Sequence, residues 1–174
     1  EKILGNKITA GIVTTKYGHS LSLSHIKIIE SAHPVPDENG VHAVNKTLEL
    51  LQQVTKDDLL ICLFSGGASA LWCDLPPGIT LHAMQAITNL LIKSGAAIHE
   101  INTVRKHISI IKGGQLIHYC NRAAVFSFII SDVVFDELDI IASGPAMPDL
   151  STFRHAYTIL DKYDLLSTLP ENIC

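Results

Sequence analysis

Leu59-Leu60-Ile61-Cys62-Leu63-Phe64 runs without a break into Ser65-Gly66-Gly67-Ala68-Ser69-Ala70-Leu71. An apolar run of strand length that ends in small residues predicts a buried strand turning sharply into a helix. Residues 124–130 form a second continuous apolar run, and residues 10–14 and 26–31 supply two further candidate strands. Between and after them the apolar spacing changes to three or four, the helical period. Val41, Val44, Leu48, Leu51 and Val54 form one such stripe, and Leu81, Met84, Ile87 and Leu91 another. Phe153, Ala156, Tyr157 and Leu160 form a third, with Ser151 or Thr152 placed to cap it. All three stripes read most simply as core packing. The alternation predicts an α/β domain with a mainly parallel sheet. Strands 59–64 and 124–130, apolar throughout, are expected to be covered on both faces.

A chain of 174 residues is enough for one domain with a substantial core. Apolar residues make up 47% and charged residues 17%, the balance of a compact globule and not of a disordered segment. With 13 Lys and Arg against 17 Asp and Glu, the net charge of −4 argues against binding nucleic acid or an anionic membrane surface. The apolar runs are too short to span a bilayer. Cys62, Cys73, Cys120 and Cys174 are widely spaced, without a CxxC pair, and favour a reducing, cytoplasmic setting. The nine histidines show no ligand spacing, so a zinc site is not expected. Oligomeric state stays open, a homo-oligomer included.

Three segments carry candidate chemistry. In Ser65-Gly66-Gly67-Ala68-Ser69, glycines let backbone N–H groups approach an anion while Ser65 and Ser69 add hydroxyls; a ligand-free tight turn is an equal reading. The segment matches neither GxGxxG nor a Walker A loop. In the second, a helix drawn through residues 101–112 buries Ile101, Val104, Ile108 and Ile111. Asn102, Arg105, Lys106, Ser109 and Lys112 then gather on its other side. A solvated basic face is the ordinary reading of such a cluster. The following Gly113-Gly114, able to offer backbone amides, tilts it toward an anion site. The third segment, Ser131-Asp132-Val133-Val134, follows a buried strand, where open α/β sheets bind ligands. Asp132 is placed to hold Mg2+ or to take a proton from a hydroxyl. Asp136, Glu137 and Asp139 read as solvated acids, and Ala142-Ser143-Gly144-Pro145 as a turn before a capped helix. His33-Pro34-Val35-Pro36-Asp37 ends strand 26–31 in an extended turn, Asp37 serving as a helix cap and His33 as a turn residue or a ligand contact. Together these features suit an enzyme of phosphorylated or acidic small molecules, with phosphoryl transfer as the natural chemistry.

The segments HPVPD (33–37), LFSGGASAL (63–71), EINTVRKHISIIKGGQL (100–116) and SDVVFDELDIIASGPAMPDLST (131–152) occur in an order that resembles one family. It is the class II glycerate kinases, the glycerate 2-kinases that carry a MOFRL domain. The resemblance covers most of the chain. It implies a Rossmann-like three-layer α/β/α domain, ATP and Mg2+ as cofactors, and phosphorylation of D-glycerate to 2-phosphoglycerate. By the same resemblance Ser65, Gly66, Gly67 and Ser69 match a glycine-rich phosphate or substrate loop. Asn102, Arg105, Lys106 and Lys112, with Gly113 and Gly114, match a basic segment contacting glycerate carboxylate or transferred phosphate. Asp132 matches the acid of a Ser-Asp-Val turn, for metal or general-base duty. Arg105, Lys106 and Asp132 are thereby the expected catalytic residues.

The chain departs from the family pattern at Ala68, Phe135 and Ala146, where Gly, Gly and Thr are usual. Phe135 would be strained if that position needs positive φ. These departures keep a non-catalytic remnant of the fold as an alternative. Hydroxypyruvate reductase, a label borne by family members, is the other, although no nicotinamide fingerprint is present. The chain opens at Glu1 and, by the resemblance, is expected to be the central part of a larger N-terminal domain, without the C-terminal MOFRL domain. An isolated parallel sheet lacking its flanking elements is expected to be poorly soluble.

Overall fold

The computed structural model describes residues 1–131 and 137–170. Asp132, Phe135 and Asp136 lie outside the described residues. Strand β1 (Gly11–Lys16) pairs in parallel with β2 (Ile26–Ser31), Gly11 opposite Ile26. Strand β3 (Leu59–Phe64) pairs in parallel with β4 (Ala124–Ile129), Leu59 opposite Ala124. Helix α1 (Glu38–Leu51) joins β2 to β3. The long crossover from β3 to β4 carries α2 (Ala68–Leu71), α3 (Leu81–Lys93) and α4 (Ile98–His107), and α5 (Phe153–Lys162) follows β4. Parallel pairing requires such crossovers, so the expected α/β class with parallel strands is the observed one.

Local chemistry starts the helices where the sequence marks them. The Asp37 carboxylate accepts from Gly40 N at 3.0 Å, Thr80 Oγ1 from Ala83 N at 3.1 Å and Thr152 Oγ1 from His155 N at 3.3 Å. Each satisfies one of the amides a helix N-terminus leaves without a partner. The larger core joins Met84, Ile87 and Leu91 of α3 to Ile101 and Val104 of α4 and Ala156 and Leu160 of α5. Burying each large aliphatic side chain contributes about 1.5–3 kcal/mol. An ionic clasp adds to the α4–α5 contact. Hydrogen bonds from Lys162 (2.7 Å) and Tyr163 (2.7 Å) hold the Glu100 carboxyl down to about 2.

Three expectations are corrected. Helix α4 stops at His107, well short of residue 112, for a reason that lies in the site described below. Phe153 and Tyr157 do not extend the α5 core stripe: both are exposed, with Phe153 stacked edge-on against His107 at 4.7 Å. Among the described residues strands β3 and β4 are covered on one face only. Side chains alternate across a strand. Leu60, Cys62, Phe64 and Val125 point inward onto Leu51, Leu116 and Cys120. Leu59, Ile61, Leu63, Phe126, Phe128 and Ile130 point outward, with Leu63 at 71% and Ile130 at 76% exposure. Among the described residues nothing forms the third layer over this face. No described helix is long and apolar enough to cross a membrane.

An uncovered face of six large apolar side chains should bind hydrophobic dyes and drive association. On its own the 174-residue chain is expected to enhance ANS fluorescence and to sediment as concentration-dependent oligomers. Introducing Ile61→Glu with Phe128→Lys should reduce both effects. A wild-type chain that sediments as a monomer and leaves ANS dark would contradict this reading of the face.

Candidate functional site

The C-terminal ends of β2 and β3 lead into the turn at His33 and the loop at Ser65, and these two segments touch. Gly67 takes φ +81°, and a Cβ there would lie 3.2 Å from His33 Nε2, so glycine serves both the left-handed backbone and the close approach of the imidazole. Ala68 opens α2 in ordinary helical backbone, so its methyl group, in place of the usual Gly, meets no backbone strain. The amides of Gly66, Gly67, Ala68 and Ser69 donate to no acceptor among the described residues.

A cavity of about 620 Å³ opens beside this loop, a volume suited to a small ligand. Gly66, Gly67 and Ser69 line one side, Asn102 and Arg105 of α4 another, and Glu137 and Ala142 a third. A chain of buried polar contacts fixes these walls. Asn102, 2% exposed, donates from Nδ2 to Ile140 O at 3.1 Å and accepts at Oδ1 from Ser143 Oγ at 3.1 Å. Ser143 Oγ lies 2.8 Å from Ser69 Oγ. Ala142, Ser143 and Gly144 all adopt positive φ (56°, 59° and 58°), costly for the two that are not glycine. Sequence reading made this segment an ordinary turn; its strained backbone is held by the Asn102 side chain.

The basic residues divide into two groups. Lys106, 4% exposed, is bound by Asp139 Oδ2 at 2.9 Å and Asp149 Oδ1 at 3.5 Å. Asp139, its side chain 48% exposed, is partly solvated as its loop suggested and also pairs with a buried lysine. Burial would raise the Asp149 carboxyl, but hydrogen bonds from Ser151 and the charge of Lys106 prevail and lower it. Lys112 donates to Trp72 O at 3.1 Å and to Asp74 Oδ1 at 3.1 Å. Asp74, 2% exposed, also accepts from Ser109 Oγ at 2.8 Å and from the Ile110 amide. Its capture of residues 109–112 explains why α4 ends at His107. Arg105 differs from both lysines. It is half-buried, burial pushes its pKa down, and it makes no hydrogen bond and meets no carboxylate among the described residues. A guanidinium stays charged at any ordinary pH, so the cavity wall presents a cation that the described residues leave uncompensated.

The glycine pair does not offer free amides. Gly113 N donates to Ser143 O at 3.0 Å and Gly114 N to Gly144 O at 2.8 Å, so the pair straps the crossover to the strained turn. Of the residues singled out from sequence, the structure brings Gly66, Gly67, Ser69, Asn102 and Arg105 to the cavity wall. Ser65 is exposed at the loop's start, and Lys106, Lys112, Gly113 and Gly114 are engaged in support. Asp74 and Ser143 escaped notice as site residues. An acid in the apolar stretch Trp72-Cys73-Asp74-Leu75 was the available signal, but nothing in spacing pairs it with a lysine 38 positions on.

A family model described as a domain of unknown function, DUF4147, matches residues 1–174. The chain belongs to the DUF4147 family. It is 47% identical over 166 residues to a Thermotoga maritima protein named D-glycerate 2-kinase, covering 94% of this chain and 40% of that one. It is 46% identical to a Pyrococcus horikoshii protein named glycerate 2-kinase, covering 94% of this chain and 37% of that one. The crystal structure of glycerate kinase from Thermotoga maritima superposes with a TM-score of 0.91 at 44% identity, covering 99% of this chain and 41% of that chain. The chain therefore spans about two fifths of the length of these relatives.

For this DUF4147 chain the strap makes a sharp prediction. A Cβ on Gly114 (φ +82°) would sit 2.8 Å from Met147 O, whereas one on Gly95 (φ +76°) would meet nothing within 4 Å. Both alanine variants incur left-handed strain of about 1–3 kcal/mol. In urea unfolding Gly114→Ala should lose clearly more stability than Gly95→Ala. Equal losses would show that the strap is not tightly packed.

Proposed function

We propose that the protein is a glycerate 2-kinase, transferring a phosphoryl group from ATP to the 2-hydroxyl of D-glycerate, and that this chain carries part of its site. One observation carries the reading: among the described residues Arg105 stands uncompensated at the cavity wall, beside a loop whose amides from Gly66 to Ser69 meet no acceptor. That pairing suits an anionic substrate. The names of the relatives supply the identity of the anion and of the reaction. The chain spans about two fifths of those relatives, so the reaction of the whole protein is part of the proposal.

In this reading Arg105 holds the glycerate carboxylate with its planar fork, and the amides and hydroxyls of the loop at Ser65–Ser69 hold anionic oxygens of substrate or phosphate. Asn102 keeps the cavity wall rigid and its own position beside Arg105 fixed. Lys106 and Lys112 act from behind, as supports. Asp132, assigned from sequence and outside the described residues, takes the proton from the substrate hydroxyl or holds the metal. ATP, when bound, supplies the phosphoryl group, and Mg2+ would neutralise its oxygens. Among the described residues no group of three or more His, Cys, Asp or Glu side chains gathers to hold a metal. A nucleotide-bound Mg2+ needs only one or two protein carboxylates, which Glu137 at the cavity wall and Asp132 would provide.

The test is kinetic and uses the natural full-length protein. It should release ADP from Mg-ATP in the presence of D-glycerate. Arg105→Gln should lower kcat/KM for glycerate about 100-fold, the scale of losing a charge-assisted contact. Because the Arg105 guanidinium has no hydrogen-bond or carboxylate partner to strand among the described residues, the melting temperature should hold within a few degrees. Absence of glycerate-dependent ADP release from the folded wild-type protein would overturn the function, and unchanged kinetics in Arg105→Gln would remove Arg105 from the site.

A further inference from the structure

Arg105, Asp74 and Lys112 line a second, water-sized cavity of about 20 Å³ behind the larger one. A buried carboxylate and a guanidinium on the same small cavity would ordinarily attract each other. Here no hydrogen bond or ion pair joins them. Asp74 is occupied by Lys112, by Ser109 Oγ and by the Ile110 amide, and the Arg105 guanidinium has no hydrogen-bond or carboxylate partner among the described residues. Lys112 is itself fixed by a second bond, to Trp72 O at 3.1 Å, so it cannot leave Asp74 without stranding a carbonyl.

We infer that Lys112 is a positioning residue that neutralises Asp74 and so keeps Arg105 available to the substrate carboxylate. This deepens the proposed function and rests on it for the identity of the ligand. It also assigns Lys112 a role that requires no contact with substrate or phosphate. The charges explain the arrangement. Three buried or half-buried groups carry a net charge of +1, and the geometry places that surplus on Arg105, the one of the three that also lines the larger cavity. Without the lysine charge, Asp74 is an uncompensated buried anion, and Arg105 is the other cation lining the shared small cavity. Its guanidinium is then drawn onto Asp74 and away from the wall of the larger cavity, which it also lines. The glycerate carboxylate would lose its partner although every atom of Arg105 is still present.

The test compares Lys112→Gln, Asp74→Asn and the double variant Asp74→Asn/Lys112→Gln in the natural full-length protein. D-glycerate affinity is read by titration calorimetry and Arg105 by crystallography. Lys112→Gln should weaken glycerate binding at least 10-fold, with Arg105 within hydrogen-bond distance of Asp74 in its crystal structure. The double variant, which has no buried anion to attract Arg105, should bind within about 3-fold of wild type, with Arg105 back at the larger cavity. Loss of affinity in the double variant equal to that in Lys112→Gln would overturn the inference and make Lys112 a direct contact. So would an Arg105 that stays in place in Lys112→Gln. If Lys112→Gln does not fold, the double variant, free of any buried charge in this pair, decides alone: retained affinity supports the inference and lost affinity overturns it. If the wild-type protein binds no glycerate while Lys112→Gln still shows Arg105 swung onto Asp74, the functional reading fails and the charge arrangement stands.

Discussion

The Asn102 side chain is the contact on which the site depends. It lies on α4, yet its amide reaches Ile140 O and Ser143 Oγ, and through Ser143 it reaches Ser69 at the start of α2. Three segments far apart in sequence are thereby held at fixed distances around one cavity. A buried amide is costly unless its donors and acceptor are used, and this one finds its partners only when residues 140–143 are in place against α4, with Ser143 then passing the link on to Ser69. The left-handed backbone at Ala142 and Ser143 shows the strength of the constraint, since neither residue favours that conformation. The strap from Gly113 and Gly114 holds the same turn from the other side.

Much of the architecture is legible in the residues themselves. Strands 26–31 and 59–64 follow from their apolar runs because local pattern and burial agree there, and Asp37 and Thr152 cap helices because capping is a contact between near neighbours. The misreadings share one cause. Helical spacing beyond His107 looked continuous, but the Asp74 carboxylate competes for the Ile110 amide and the Ser109 hydroxyl and unwinds the chain there. Lys106 and Lys112 looked like partners of Arg105, yet each meets an acid 33 or more positions away. Apolar strands looked doubly covered, although a run of Leu and Phe fixes only what the strand can tolerate on each face. What covers the outer face of β3 and β4 is not in the described residues. Non-local pairing carries no periodic trace, so composition and spacing show a basic segment but not how its charges divide.

That division gives the site its chemical character. Two lysines are each balanced by buried or half-buried carboxylates and stiffen the scaffold, while among the described residues one arginine is left over at the wall of a cavity of about 620 Å³. A planar guanidinium offers a fork whose shape matches a carboxylate or phosphate. The loop from Gly66 to Ser69 adds neutral donors beside it, so an anion bound there would meet both charge and direction. Kinase chemistry of a small hydroxy acid demands this kind of placement more than it demands covalent participation by the protein.

The role proposed for Arg105 is to anchor the substrate anion. The most direct measurement is a crystal structure of the natural full-length protein bound to D-glycerate. The account predicts both carboxylate oxygens within 3.2 Å or so of the Arg105 guanidinium, with Lys112 still on Asp74. A glycerate carboxylate bound elsewhere, with Arg105 turned away from it, would contradict the account at its centre.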